Sequence, residues 1–352
     1  MRASICRVRV WGVKKVGQVK AVLLLLVMAI SLTIPIINVY GAETSATGQY
    51  TVNNVAPTIN IALYESDGTT STTTLSPQLE YALKITISDS NSLQDVAQIK
   101  VILFYDTNNT AVGTPPASDD PATRATYQWD PTNGWQLVGP TGSTWGINTA
   151  SSSAPSDLTV TQGDWWLYFT PGKVAHEANT GGNDDWDIIV EVTDTSGNTY
   201  QASMYGLTML WYGEISISVS TINFGSLDPG SAATPAQENP YTLTLIANGN
   251  YSVQTKADAT WNTTDGYTAS LDTDGTLSDG EFQLITDDDS TLNETDSLLV
   301  TDTYQTIPGH ESDAGPTAET GATLSLYSWV QLGNGLMPGT YTGAIYYQII
   351  NG

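Results

Sequence analysis

From residue 58 onward the chain alternates apolar and polar residues with the two-residue period of β-strands. Residues 58–63 alternate. Residues 79–88 follow, with Leu83, Ile85 and Ile87 on one face, and residues 97–105 carry Ile99, Ile102 and Phe104. Further strands are expected at 165–170, 186–193, 199–210, 215–219, 323–331 and 341–350. Polar clusters separate them, at 88–92, 194–198 and 337–340, with the Gly, Pro, Asn, Asp and Ser content of turns. Asn248-Gly249, between two alternating runs, predicts a type I′ hairpin turn. No amphipathic helix of ten or more residues and no strict internal repeat is visible beyond the leader. The pattern predicts an all-β chain.

The exception is the N-terminus. Six basic residues, Arg2, Arg7, Arg9, Lys14, Lys15 and Lys20, precede an apolar run from 21 to 42, and the first acidic residue is Glu43. This is the secretory signal pattern, with Gly41 or Ala42 as the last leader residue. An uncleaved anchor is the second reading, because 20 residues span about 30 Å as a helix. Either way the remainder is expected to be exported, with any membrane contact confined to an uncleaved N-terminal segment. The stretch Lys14-Lys15-Val16-Gly17-Gln18-Val19 resembles an archaeal prepilin cleavage region, although Val16 stands where that family carries a basic residue. That resemblance implies a filament subunit retaining its leader helix.

Residues 1–42 are thus a signal peptide or anchor and 43–56 a polar linker. Two tandem antiparallel β-sandwich domains are expected at about 51–212 and 213–352. Residues 106–164 break the regular spacing. They are rich in Pro, Gly, Ser, Thr and Asn, carry Trp129, Trp135 and Trp145, and are read as an inserted hairpin and loop. The stretch IIVEVTDTSGNTY resembles the penultimate strand and turn of bacterial and archaeal Ig-like domains. The run from Ile222-Asn223-Phe224-Gly225 through Asn248-Gly249-Asn250-Tyr251 is similar to sandwich domains of prokaryotic surface proteins, including the WxL type. A Trp-x-Leu motif is not visible, so wall binding does not carry over.

Charge narrows the partners. Of the 352 residues, 36 are acidic and 11 basic. Beyond the leader only Lys84, Lys100, Arg124, Lys173 and Lys256 remain, a formal charge of about −31. Such a surface repels nucleic acid and anionic lipid and attracts cations. The single cysteine, Cys6, lies in the leader, so disulfides are not expected in the exported part.

Catalytic patterns are missing. Only His176 and His310 are present, each expected to be a solvated loop residue, and neither a nucleophile elbow nor a zinc motif is found. The cofactor expected is calcium, which takes six to eight oxygens from Asp- and Gly-rich turns. Asp272, Asp274, Asp279, Glu281, Asp287 and Asp289 supply them, with Asp184-Asp185-Asp187 as a second candidate. An exposed acidic hairpin is the competing reading of the first group. Trp129, Trp135 and Trp145 would stack on sugars if exposed and roughly coplanar; otherwise they pin the insertion to the sheet. Sequons stand at Asn108, Asn250, Asn262 and Asn293. The sequence therefore predicts a non-catalytic structural or adhesive component of a prokaryotic, plausibly archaeal, cell surface, extracellular and glycosylated. Its partners would be a surface polymer, other surface proteins or further copies of itself. A carbohydrate-binding module and a pilin-like subunit are the alternatives.

Overall fold

The structure, a computed structural model, describes residues 45–108, 110–178, 183–292 and 296–352. The leader, 1–42, and the sequon residue Asn293 lie outside the described residues. Residues 54–352 form one compact unit. Residues 45–53 are exposed and carry no strand.

The first half of that unit holds ten strands. They are β1 (Thr58–Glu65), β2 (Thr74–Leu75), β3 (Tyr81–Ser88), β4 (Val96–Asp106), β5 (Arg124–Asp130), β6 (Gly134–Gly139), β7 (Gly146–Ile147), β8 (Gln162–Thr170), β9 (Asp185–Asp194) and β10 (Thr199–Met209). One sheet runs β1-β3-β8-β7 and the other β2-β10-β9-β4-β5-β6. All pairs are antiparallel except β2 with β10. Alternation sends Leu83, Ile85 and Ile87 of β3 and Trp165, Leu167 and Phe169 of β8 inward. There they meet Ile99, Val101 and Leu103 of β4 and Ile188, Val190 and Val192 of β9 in one core. Two sheets facing each other across a shared apolar layer make a sandwich.

The insertion contributes the β5–β6 hairpin, which extends the larger sheet through β4. Its turn is set by Asp130, whose carboxylate accepts the backbone N–H groups of Thr132 and Asn133, both at 2.9 Å. Gly134 sits at φ 69°, a backbone state that costs glycine little.

The second half holds β11 (Gly213–Ile217), β12 (Thr234–Pro235), β13 (Tyr241–Ala247), β14 (Tyr251–Ala257), β15 (Thr260–Asn262), β16 (Thr268–Leu271), β17 (Glu281–Asp287), β18 (Leu298–Leu299), β19 (Gln305–Thr306), β20 (Ala322–Leu332) and β21 (Ile345–Asn351). An eight-stranded sheet has the path β11-β13-β20-β17-β16-β15, with β12 on β20 and β18 on β17. A three-stranded sheet runs β19-β14-β21. Leu243 and Leu245 of β13 and Leu326 of β20 pack on Val253 of β14 and Ile349 of β21, and this layer joins the two sheets. A separate cluster around Phe282, Leu284 and Val330 fills the other end. Among the described residues the sole helical element is the 3-10 turn Leu93–Asp95, and no helix is long and apolar enough to cross a membrane.

Asn248-Gly249 does not form the expected hairpin. β13 pairs with β11 and β20, whereas β14 pairs with β19 and β21, so the chain changes sheet at this point. The reason lies in Asn248, which is fully buried. Its amide donates to the carbonyls of Ala175 (2.8 Å) and Leu210 (2.9 Å), and its side-chain oxygen accepts the Tyr212 N–H at 2.7 Å. Its own carbonyl accepts the Glu177 N–H at 2.8 Å. A buried side chain that satisfies three backbone groups fixes the segment more firmly than a turn preference does. Around it, Thr144 donates to Glu319 and Lys173 pairs with Glu214 at 2.7 Å. These contacts tie the two halves together where the chain passes from β10 to β11.

Candidate metal centre

Asp106 ends β4, and Asp185 begins β9 directly opposite it in the antiparallel register. Asp187 lies two residues further on and so points to the same face as Asp185. That face is the outer one, because Trp186 and Ile188 face the core. The loop after β4 returns over it and seals it, leaving Asp185 and Asp187 with no solvent exposure. One carboxylate oxygen from each of Asp106, Asp185 and Asp187 lies within 4.8 Å of the other two.

Two glycines hold the carboxylates. Gly113 in the covering loop donates its N–H to Asp187 at 2.7 Å, and a Cβ at residue 113 would sit 2.4 Å from the Asp106 carboxyl carbon. Gly206, at φ 80° in the β-bulge between Met204 and Leu207, turns its N–H onto Asp185 at 2.6 Å. Asp106 Oδ2, Asp185 Oδ1 and Asp187 Oδ1 are buried without a hydrogen-bond partner.

Burial pushes Asp187 up to about 6; the Gly113 N–H opposes the shift and the charges of Asp185 and Asp106 add to it. Burial likewise raises Asp185, opposed by Gly206 and reinforced by Asp106 and Asp184. Asp184 accepts the Tyr105 hydroxyl at 3.0 Å, and burial, with that carboxylate, pushes the phenol up to about 12. At 4.8 Å, two carboxylates repel by about 3.5 kcal/mol at an effective dielectric constant of about 20. No ion pair among the described residues reaches the three: the nearby Arg124 is held by Asp119 at 3.0 Å. The arrangement suits a hard cation, because it offers only oxygen donors.

The six carboxylates of the 272–289 region are placed differently. Asp272 is buried, and its oxygens accept the N–H groups of Asp274 (2.9 Å) and Gly275 (3.1 Å) and the Gln283 amide. Burial acts upward on its carboxyl, but these bonds outweigh it and hold the group below the usual range. Asp274 and Asp289 are exposed and cap their own turns, through Thr276 and Thr291. Glu281 accepts the Ser278 N–H, Asp287 the Asp289 N–H and the Ser297 hydroxyl, and Asp279 is exposed. Among the described residues, no three of these six come together as Asp106, Asp185 and Asp187 do.

Trp129, Trp135 and Trp145 are 4%, 5% and 4% exposed. Trp129 meets Trp165 edge-on at 5.5 Å, and Trp145 lies 5.6 Å from Trp186. Their neighbours take the indole N–H groups: Trp135 donates to Ser153 and Trp145 to Pro121. The exposed, coplanar arrangement that sugar stacking requires is not what the structure shows, since these rings anchor the insertion. A shallow groove of about 480 Å³ runs beside Trp129 and Trp135, lined by Asn133, Gln136 and Ser152. Asn108, Asn250 and Asn262 are exposed.

Neither histidine is a free loop residue. His176 stacks on Tyr105 at 4.1 Å, and His310 lies between Asp313 (2.8 Å) and Asp288 (3.4 Å).

No family model and no curated protein matches the chain. Solved structures with a likeness include a DUF4466 family protein from Parabacteroides merdae, 9% identical, with a TM-score of 0.24 over 78% of this chain and 98% of that one. The major pilin subunit BcpA of Bacillus cereus is 10% identical, with a TM-score of 0.21 over 63% and 65%. The Iho670 flagellar-like filament is 13% identical, with a TM-score of 0.16 over 54% and 93%. At such scores nothing is carried from them to this chain.

Proposed function

We propose that the protein is a non-catalytic structural component of a prokaryotic cell surface, exported through its N-terminal leader. It would hold a surface polymer, other surface proteins or further copies of itself at a set geometry. The observation that carries this reading is the joint at Asn248. A buried amide that ties three backbone groups across two sandwiches supports reading them as one stiff body. Independent binding modules are more often joined by open linkers, which leave the domains free to move. The strongly acidic surface and the exposed sequon residues Asn108, Asn250 and Asn262 support the same reading.

Two measurements test it. Spin labels at exposed Asn133 and Thr273, in a Cys6→Ser full chain, should give one narrow distance distribution. A broad distribution would remove the stiff-joint basis. Protease shaving of intact producing cells should release fragments of residues 54–352. Protection of the chain until cells are lysed would rule out the surface location.

A further inference from the structure

We propose that Asp106, Asp185 and Asp187 bind a calcium ion, and that the ion clamps the loop between β4 and β5 onto the larger sheet of the first sandwich. This stands apart from the surface role, and either can fail without the other.

Oxygens bound to a common calcium ion at about 2.4 Å lie no more than about 4.8 Å apart. The three carboxylates meet that limit. Geometry alone would not carry the assignment, since acidic groups often cluster without an ion. The second observation is the set of unpartnered oxygens. Asp185 and Asp187 are fully buried, each has one oxygen held by a glycine N–H, and each leaves the other without a donor. Metal-bound carboxylates are commonly oriented in this way, with an outer hydrogen bond fixing the group and the inner oxygen left for the ion.

Calcium fits better than its competitors. Sites for softer metals use sulfur or imidazole, and this cluster offers only carboxylate oxygen. Magnesium keeps several waters and is seldom held in a cage made by the protein. Backbone carbonyls or water would complete the coordination. The ligands come from the ends of β4 and β9, and Gly113 ties the loop to the same group. An ion there would connect two segments distant in sequence, 106–113 and 185–187, and the loop would gain order when it binds.

The test uses the full chain and terbium as a luminescent stand-in for calcium, with Trp186 between two of the ligands and Tyr105 beside the third. Sodium chloride at high concentration screens the exposed carboxylates. Terbium emission excited through the aromatic residues should saturate at one equivalent and be displaced by calcium. In the Asp185→Asn/Asp187→Asn variant the affinity for terbium should fall at least about tenfold, since losing even an outer partner of a metal ligand costs about 10–100-fold. Calcium should raise the Tm of the wild type, not of this variant. It should also slow proteolysis within residues 110–123. Should the double variant not fold, Asp106→Asn at the half-buried position replaces it, with the same losses expected. Absence of saturable emission from the folded wild type overturns the proposal. So does emission that survives these substitutions but is lost in Asp272→Asn/Asp274→Asn. Cleavage of the loop at equal rates with and without calcium overturns the clamp.

Discussion

Asp194 shows how a single carboxylate organises a turn. It accepts the N–H groups of Ser196 (2.9 Å) and Asn198 (2.8 Å) and the side-chain amides of Asn198 and Asn54. The Asn198 amide is the largest cause holding its carboxyl below the usual range, and burial opposes the shift. A carboxyl whose folded pKa is depressed adds stability above its unfolded pKa of about 3.9, and that stability is lost as pH falls through the folded value. Asp194→Ala is expected to lower the Tm at pH 7, with the gap to wild type closing below about pH 4. A gap of constant size down to pH 2 would mean that the carboxylate charge contributes nothing. Asn248→Ala is a harsher change. It leaves the buried Ala175 carbonyl and the part-buried Leu210 carbonyl and Tyr212 N–H without partners, at a cost of about 2 kcal/mol or more in urea unfolding, since a fully buried unpaired group costs about 1–3 kcal/mol. A loss below about 1 kcal/mol would show that water or a shifted backbone replaces the amide.

Among the elements, the insertion invites the clearest substitutions. Trp145→Ala removes a buried indole packed on Trp186 and bonded to Pro121. It should cost about 3–5 kcal/mol, the range for large aromatic truncations in cores. Near-wild-type unfolding would mean that the insertion is not anchored there. Gly113→Ala drives a methyl into the Asp106 carboxylate, so the loop must move and its proteolysis in calcium should quicken.

Strands were the legible part of the sequence. The run at 186–193 became β9 and that at 199–210 became β10, each within a residue or two. The run at 341–350 began later than expected, at Ile345. Pairing was not legible. Asp185 and Asp187 were visible as a local acidic group, but Asp106 is far away in sequence and joins them only through the register of β4 on β9. An Asp closing the apolar run of β4 was the available signal. The cluster at 272–289 stood out by local density, yet short acidic turns mostly bond their own backbone. Asn248-Gly249 misled for a related reason, because a turn preference says nothing of a burial site supplied by residues 175, 210 and 212.

Over the whole molecule, formal charge dominates. About thirty uncompensated carboxylates on one compact unit oppose each other, and salt screens them. Tm should rise with sodium chloride from 0.01 M to 1 M, whereas a flat profile would mean that the charges are already too far apart to matter. Calcium at matched ionic strength should add a further rise, as expected of binding to the folded state.

The joint at Asn248 sets how the molecule answers a pull. On the proposed stiff joint, both halves would turn as one lever, and a tug on one would be felt at once by the other. Without it, the hold between the halves would rest on the surrounding pairs, Thr144 with Glu319 and Lys173 with Glu214. A pull on one half would then first take up slack at the joint and load the other half only afterwards.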